Sequence, residues 1–162
     1  MNKEEIYDCL NSLRIPYEVT EHKAVYTMAE LVDVVFPYPE SLAKNLFVRD
    51  DKKHNYYLIT VKGNKRINLK EFRRNNGTRP LSFADESDLM NVLALAPGSV
   101  TPLGLLNDKD CKAQLYLDEE FLNASEIIGI HPNDNTATVW LHTKDLIRLL
   151  REQGHNVHII KI

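Results

Sequence analysis

Three short stretches of the chain contain the groups that could do chemistry. Lys44 opens the apolar run "KNLFV", His131 ends the run "IIGIH" just before a proline, and "GSVTP" occupies residues 98–102. Glycine lets a ligand approach the main chain closely, and proline stiffens the loop. The backbone amides of residues 98–101 could then polarise a carbonyl oxygen, as an oxyanion hole does. This combination is typical of a pocket that takes a small apolar group next to a reacting ester.

Each of these features also has a structural explanation. A lysine at the start of a strand usually lies along the surface with its ammonium group in water. A histidine at a strand end often only packs, and residues 98–102 could be a buried crossover without a ligand. The hydroxyls of Ser99 and Thr101 are more typical of a tight turn than of a nucleophile, because "GSVTP" is not the G-x-S-x-G turn that presents a catalytic serine.

The sequence has no pattern typical of a metal site or a nucleotide cofactor. Neither a P-loop nor a GxGxxG motif is present. The six histidines are scattered, and the only close pair is His155 and His158. Three positions apart on a strand, these two side chains would point to opposite faces and could not share a metal. We therefore expect no metal and no cofactor.

Capping residues and apolar spacing indicate the elements that position these groups. Helices are predicted in "NKEEIYDCLNSL" (capped by Asn2), "TMAELVDVV" (capped by Thr27), "NLKEFRRNNG", "DESDLMNVL" (capped by Asp85) and "KDLIRLLREQ" (capped by Thr143). Strands are predicted at 44–49 and 56–61, as a hairpin, and in "LSFA", "AQLYLD", "EIIGIHP", "ATVWLHT" and "NVHIIKI". The pattern predicts one domain over residues 1–162 with a mixed α/β (α+β) fold. Its sheet is expected to be largely antiparallel, curled or closed, with helices outside.

Composition excludes several classes of protein. The chain is 43% hydrophobic and 27% charged, which is ordinary for a globular protein, and no run approaches the roughly 18 apolar residues of a membrane span. Its first residues are charged, unlike a signal peptide. The two cysteines, Cys9 and Cys111, are far apart, so we expect a reduced cytoplasmic protein with both thiols in the core.

The charge is unevenly distributed. The net charge is −3, yet residues 62–79 contain seven basic residues and a single acid, Glu71. This segment is either a solvated helix face or a small patch that contacts phosphates, enough to dock a nucleic-acid terminus but not to wrap a duplex. The candidate contacts are Lys62, Lys65, Arg66, Lys70, Arg73 and Arg74.

Taken together, "LAKNLFV", "APGSVTPLGLLND" and "IGIHPNDNTATV" resemble motifs of the YbaK/ProX family of trans-editing aminoacyl-tRNA deacylases. Within that family, the chain is most similar to the freestanding prolyl-tRNA editing proteins, which remove alanine from mischarged tRNA(Pro). The resemblance extends from about residue 22 to residue 150 and follows the family's motif order. It implies a barrel-like mixed sheet surrounded by helices, of the type associated with aminoacyl-tRNA synthetases.

The resemblance also implies roles for single residues. Lys44 matches the functional lysine that engages the tRNA terminus, and His131 matches the pocket histidine of the alanine-type members. With Gly98 and Ser99 these form the predicted catalytic set. The predicted substrate-binding residues are Asn45, Val100, Thr101, Pro102 and Gly129.

The implied partners are the acceptor end of tRNA(Pro) and prolyl-tRNA synthetase, with no role for DNA or a membrane. The implied reaction is hydrolysis of the aminoacyl ester, assisted by the substrate's own 2′-hydroxyl. The "GSVTP" loop favours alanine over cysteine. Two alternatives stay open: a deacylase acting on Cys- or Ser-tRNA, and a non-catalytic module that binds charged tRNA.

Overall fold

The computed structural model describes residues 1–162 and contains both helices and strands. The α-helices are α1 (Lys3–Ser12), α2 (Leu69–Asn76), α3 (Glu86–Leu93) and α4 (Thr143–Glu152). The strands are β1 (Tyr17–Glu21), β2 (Ala43–Asp50), β3 (Tyr56–Lys62), β4 (Leu81–Phe83), β5 (Ala113–Asp118), β6 (Ile127–Ile130), β7 (Ala137–His142) and β8 (Val157–Ile160). Short 3₁₀ helices cover Met28–Leu31, Pro39–Ser41, Pro102–Asn107 and Glu119–Leu122. None of the helices combines the length and the apolar character needed to cross a membrane.

The strands form two sheets. The smaller sheet has the order β1-β7-β6 and is antiparallel throughout, and the larger has the order β4-β2-β3-β5-β8. In the larger sheet, β2 pairs antiparallel with β3 and β4, whereas β5 pairs parallel with β3 and β8. The predicted mixed, largely antiparallel α+β class is confirmed, with two open sheets in place of one closed barrel.

The larger sheet is buried on both faces. Its inner face contributes to a core of 24 buried residues, shared with the smaller sheet and with α1, α3 and α4. On its outer face, Phe72 of α2 joins Val48, Ile59 and Tyr116 in a second, smaller core. Phe72 is the only buried residue of α2, so the charged side chains of that helix face solvent.

The two sheets meet where β2 begins. An isolated parallel bridge joins Leu42 to Gly129 of β6. Gly129 lies opposite Trp140 of β7, and a Cβ atom at position 129 would overlap the indole ring, so only glycine fits there. This junction brings the start of β2, with Lys44, next to the end of β6, with His131.

Most of the predicted elements are confirmed. The β2-β3 hairpin is present, and Asn2 and Asp85 cap α1 and α3 through reciprocal capping boxes with Glu5 and Asp88. Helix α4 begins one residue earlier than predicted, because His142 rather than Thr143 is its N-cap.

Three details differ from the sequence-based predictions. The predicted helix in "TMAELVDVV" is reduced to the 3₁₀ turn Met28–Leu31, because the segment offers little surface to a core: Val32 and Val35 are 82% and 90% exposed. A short helix without a packed face is unstable in water. Cys111 is exposed rather than buried, and strand β1 was not predicted.

Candidate active site

A cavity of about 230 Å³ opens where the two sheets meet. Its walls come from the segment before β2, the start of β2, the loop after α3, the end of β6 and one residue of β7. The lining residues are 25–28, 31, 42–45, 98, 100, 129–131 and 138. Such a volume is smaller than the roughly 300–1,000 Å³ of pockets that hold drug-sized ligands, so the cavity suits a small group.

The cavity brings together six of the predicted site residues from three distant parts of the chain. These residues are Lys44, Asn45, Gly98, Val100, Gly129 and His131. Ser99, Thr101 and Pro102 are buried behind the cavity wall and do not line it. No nucleophilic serine is therefore presented to the cavity by the 98–102 loop.

The position of the 98–102 loop depends on two of its residues. Gly98 has a φ of +86°, and a Cβ atom there would lie 2.6 Å from Cδ1 of Tyr26, whose ring covers it at the cavity mouth. The Thr101 hydroxyl donates a hydrogen bond of 2.7 Å to the carbonyl oxygen of His131 and accepts one from the amide of Leu103. The loop is therefore bonded to the end of β6, Gly98 leaves room for the ring of Tyr26, and the hydroxyl of Thr101 satisfies backbone groups as expected.

The backbone amides of the loop are only partly available to a ligand. The Ser99 amide donates to the carbonyl of Ala96 at 3.1 Å, so the expectation of consecutive free amides is wrong at that position. The amides of Gly98 and Val100 donate to no backbone carbonyl, and both residues line the cavity. An oxyanion site at this loop would consist of these two amides.

His131 is held as a neutral ring with one fixed tautomer. Its Nδ1 lies 2.9 Å from the carbonyl oxygen of Ala137, which only accepts hydrogen bonds, so Nδ1 carries the proton and Nε2 is an acceptor. Burial lowers the pKa of His131, and the proximity of His22 adds to this effect. The ring is therefore neutral at pH 7 and can accept a hydrogen bond or a proton in the cavity.

His22 was not among the predicted site residues. Its Nδ1 donates to the carbonyl of Lys23, and its Nε2 accepts from the hydroxyl of Thr138, which lines the cavity. The rings of His22 and His131 are 6.1 Å apart between centroids. Nothing in the sequence around His22 indicated this contact, because Thr138 lies on a strand 116 positions away.

Lys44 and Asn45 present polar groups at the start of β2. The ammonium group of Lys44 donates to the carbonyl oxygen of Lys65 at 3.1 Å, which leaves two of its protons available. The side-chain oxygen of Asn45 accepts from the hydroxyl of Thr60 at 2.6 Å, so its amide nitrogen can face a ligand. The two side chains leave opposite faces of β2, and both residues line the cavity.

The basic segment divides into engaged and free residues. Lys62 donates to the carbonyl of Glu40 and lies over the ring of Phe121, 4.9 Å from its centroid. All three ammonium protons of Lys65 are bonded within the protein, so this residue has no donor left for the phosphate contact that the sequence predicted. The remaining members of the patch are exposed and form no ion pair: Arg66, Lys70, Arg73 and Arg74.

This fold is that of a tRNA-editing domain. The family model described as the aminoacyl-tRNA editing domain matches residues 22–149, and the chain belongs to that family. The chain is 34% identical over 160 residues to the prolyl-tRNA editing protein ProX of Acetoanaerobium sticklandii, covering 99% of this chain and 97% of that protein. It is also 34% identical to the prolyl-tRNA synthetase associated domain-containing protein 1 of Mus musculus, covering 98% of this chain and 95% of the mouse protein.

A solved structure shares the whole fold. It is described as that of a candidate trans-editing enzyme for prolyl-tRNA synthetase, and it superposes with a TM-score of 0.72 at 23% identity. The alignment covers 99% of this chain and 96% of that one. The match extends over both sheets and therefore over the junction at which the cavity lies.

Proposed function

We propose that the protein hydrolyses the ester bond of mischarged Ala-tRNA(Pro), releasing alanine and free tRNA. The observation that carries the proposal is the convergence of Lys44, Asn45, the Gly98 and Val100 amides and His131 around one small cavity. An aminoacyl ester is already activated. Positioning a water molecule and stabilising the oxyanion therefore suffice for its hydrolysis, without a protein nucleophile.

In the reaction we propose, a water oxygen attacks the ester carbonyl carbon. The carbonyl oxygen gains negative charge and accepts hydrogen bonds from the amides of Gly98 and Val100. The bond between the carbonyl carbon and the ribose oxygen then breaks, and the ribose oxygen takes up the proton that the attacking water loses. The neighbouring 2′-hydroxyl of the terminal ribose, which the family resemblance implies as the assisting group, relays this proton. The neutral Nε2 of His131 accepts a hydrogen bond from the α-amino group and orients the aminoacyl moiety.

The size of the cavity supports selection of alanine. A synthetase pocket built for proline discriminates against a smaller amino acid by only about 1–3 kcal/mol per missing methylene. A second pocket that sterically rejects proline removes the remaining errors. The side chain of Val100 helps to shape such a pocket, because Val100 lines the cavity.

The tRNA would reach the cavity along the basic side of the molecule. Lys44 has two ammonium protons free for a phosphate oxygen of the tRNA terminus. The unpaired cations Arg66, Lys70, Arg73 and Arg74 would contact further phosphates of the acceptor end. Prolyl-tRNA synthetase is a candidate partner, and the cytoplasm is the compartment in which such a reaction is needed.

The test is a deacylation panel with Ala-, Cys-, Ser- and Pro-tRNA(Pro). We expect the wild type to hydrolyse Ala-tRNA(Pro) fastest and to spare Pro-tRNA(Pro). Lys44→Ala should lose activity while it keeps its fold. Lys109→Ala, at an exposed position outside the site, is the control for loss of one positive charge. Faster hydrolysis of the Cys or Ser ester would reassign the substrate, and binding without hydrolysis would identify a regulatory module.

A further inference from the structure

A partly buried ion pair is connected to Lys44 through one hydrogen bond. The ammonium group of Lys65 contacts Oδ2 of Asp118 at 2.8 Å, Oε1 of Glu120 at 2.9 Å and the carbonyl oxygen of Ile162 at 3.0 Å. The side chain of Asp118 is 0% exposed and that of Lys65 is 21% exposed. Three bonds use all the protons of an ammonium group, so Lys65 has no donor left for a tRNA phosphate.

The carboxylate of Asp118 is itself held by backbone groups. Its Oδ1 accepts from the amide of Glu120 at 3.1 Å, and its Oδ2 accepts from the amide of Lys62 at 3.4 Å. The amide of Lys65 donates to the carbonyl of Lys62 at 3.0 Å and closes the turn after β3. Both ends of this turn, residues 62–65, are therefore fixed to the end of β5.

The carbonyl oxygen of that turn is the protein group that orients Lys44. The main-chain oxygen of Lys65 accepts the hydrogen bond from Nζ of Lys44. A lysine side chain is a flexible four-carbon stem, and its ammonium group takes a defined direction only when an acceptor holds it. The direction of Lys44 at the cavity thus depends on where the Lys65 carbonyl lies.

We propose that Lys65 and Asp118 are positioning residues whose partly buried ion pair fixes the Lys65 carbonyl and, through it, the ammonium group of Lys44. This inference rests on the proposed function in so far as Lys44 acts on the aminoacyl-tRNA. The ammonium group of Lys65 stays charged at neutral pH, because the hydrogen bonds to Asp118 and Glu120 outweigh the effect of burial and raise the pKa of Lys65.

The deciding variant is Lys65→Met, which keeps the alkyl stem and removes the ammonium group. We expect its single-turnover rate at saturating protein to fall by about 10- to 100-fold, because a displacement of about 1 Å can cost on the order of 100-fold. The salt dependence of tRNA binding should match that of Lys109→Met, the control for charge loss. Arg66→Met, by contrast, should lower the salt slope by roughly 0.7–0.9 if its phosphate contact is made.

A second measurement needs no activity. Lys44 should be acetylated by acetic anhydride faster in Lys65→Met than in the wild type, since its ammonium group is no longer held by a fixed carbonyl. A slower rate together with faster labelling supports the proposal. An unchanged saturating rate, or a slower rate with unchanged labelling of Lys44, overturns it.

Removal of Lys65 alone leaves Asp118 buried without its cation, which can prevent folding. In that case Lys65→Met/Asp118→Asn, in which both charges are removed, is measured in the same two ways and decides the question. A wild type that does not deacylate any of the tested esters would refute the proposed function. The labelling of Lys44 would still test its link to Lys65.

Discussion

Gly98→Ala tests whether the cavity depends on a close approach to the main chain. Position 98 has a φ of +86°, and an added Cβ atom would lie 2.6 Å from the ring of Tyr26. The left-handed backbone costs a non-glycine residue about 1–2 kcal/mol. Tyr26 is 67% exposed and can swing away, so the contact itself adds little to the loss of stability.

The structure provides a matched control for this substitution. Gly77 ends α2 with a φ of +65°, and a Cβ atom there would meet nothing within 4 Å. Gly77→Ala should cost the same backbone strain of about 1–2 kcal/mol without touching the cavity. For a chain of this length, both variants should lower the Tm by about 2–8 °C, since each kcal/mol corresponds to about 2–4 °C.

The two glycine variants should differ in their rates of deacylation. Gly98→Ala moves Tyr26 at the cavity mouth and the amide beside the ester, so we expect a loss of about 10- to 100-fold in the single-turnover rate on Ala-tRNA(Pro). Gly77→Ala should keep the wild-type rate below its Tm. Thermal unfolding and deacylation, measured on both variants in one buffer, give the comparison. Equal rates for the two variants would refute the assignment of the loop as the wall that contacts the ester.

The remaining predictions concern the loop, the basic patch and the histidine. Val100→Ala should enlarge the cavity, reduce the hydrolysis of Ala-tRNA modestly and raise the relative hydrolysis of larger aminoacyl esters, as measured with a panel of aminoacyl-tRNAs. Ser99→Ala should keep substantial activity, because Ser99 does not line the cavity. Replacing Arg73 and Arg74 with Ala should lower the slope of log K against log salt by roughly 0.7–0.9 for each phosphate that the variant no longer binds, and an unchanged slope would assign them to a solvated face. Because burial lowers the pKa of His131, the unfolded chain binds more protons than the folded one below about pH 6.5. The wild type should therefore lose thermal stability between pH 7 and 5.5 more steeply than His131→Asn, and parallel curves would argue against this effect.

Local chemistry made much of the fold predictable. The β2-β3 hairpin follows from two apolar runs with a polar turn between them, and the capping boxes at Asn2 and Asp85 fix two helix starts. The parallel pairs of β5 with β3 and β8 have no local signal, since they join strands far apart in the chain. Residues 27–35 show the converse limit, because a helical pattern without a core to pack against yields only a turn.

The candidate site was predictable as a set of residues but not as a set of contacts. Lys44, the 98–102 loop and His131 were selected by residue type and motif, and the fold brings them to one cavity. Lys65 was grouped with the phosphate-binding cations because a run of basic residues does not reveal which of them has an acid nearby. Its partner Asp118 lies 53 positions further on, at the end of a different strand.

Because the cavity lies at the junction between the two sheets, a bound ligand would add a connection between them. Outside the shared core, the backbones of the two sheets are joined at this edge by one bridge, from Leu42 to Gly129. A ligand in the cavity would contact the start of β2 and the end of β6 at the same time, and would link the two sheets for as long as it is bound. Ligand binding to the folded state alone raises stability with ligand concentration. A non-hydrolysable alanyl-adenosine analogue should therefore slow hydrogen exchange on both sides of the junction together.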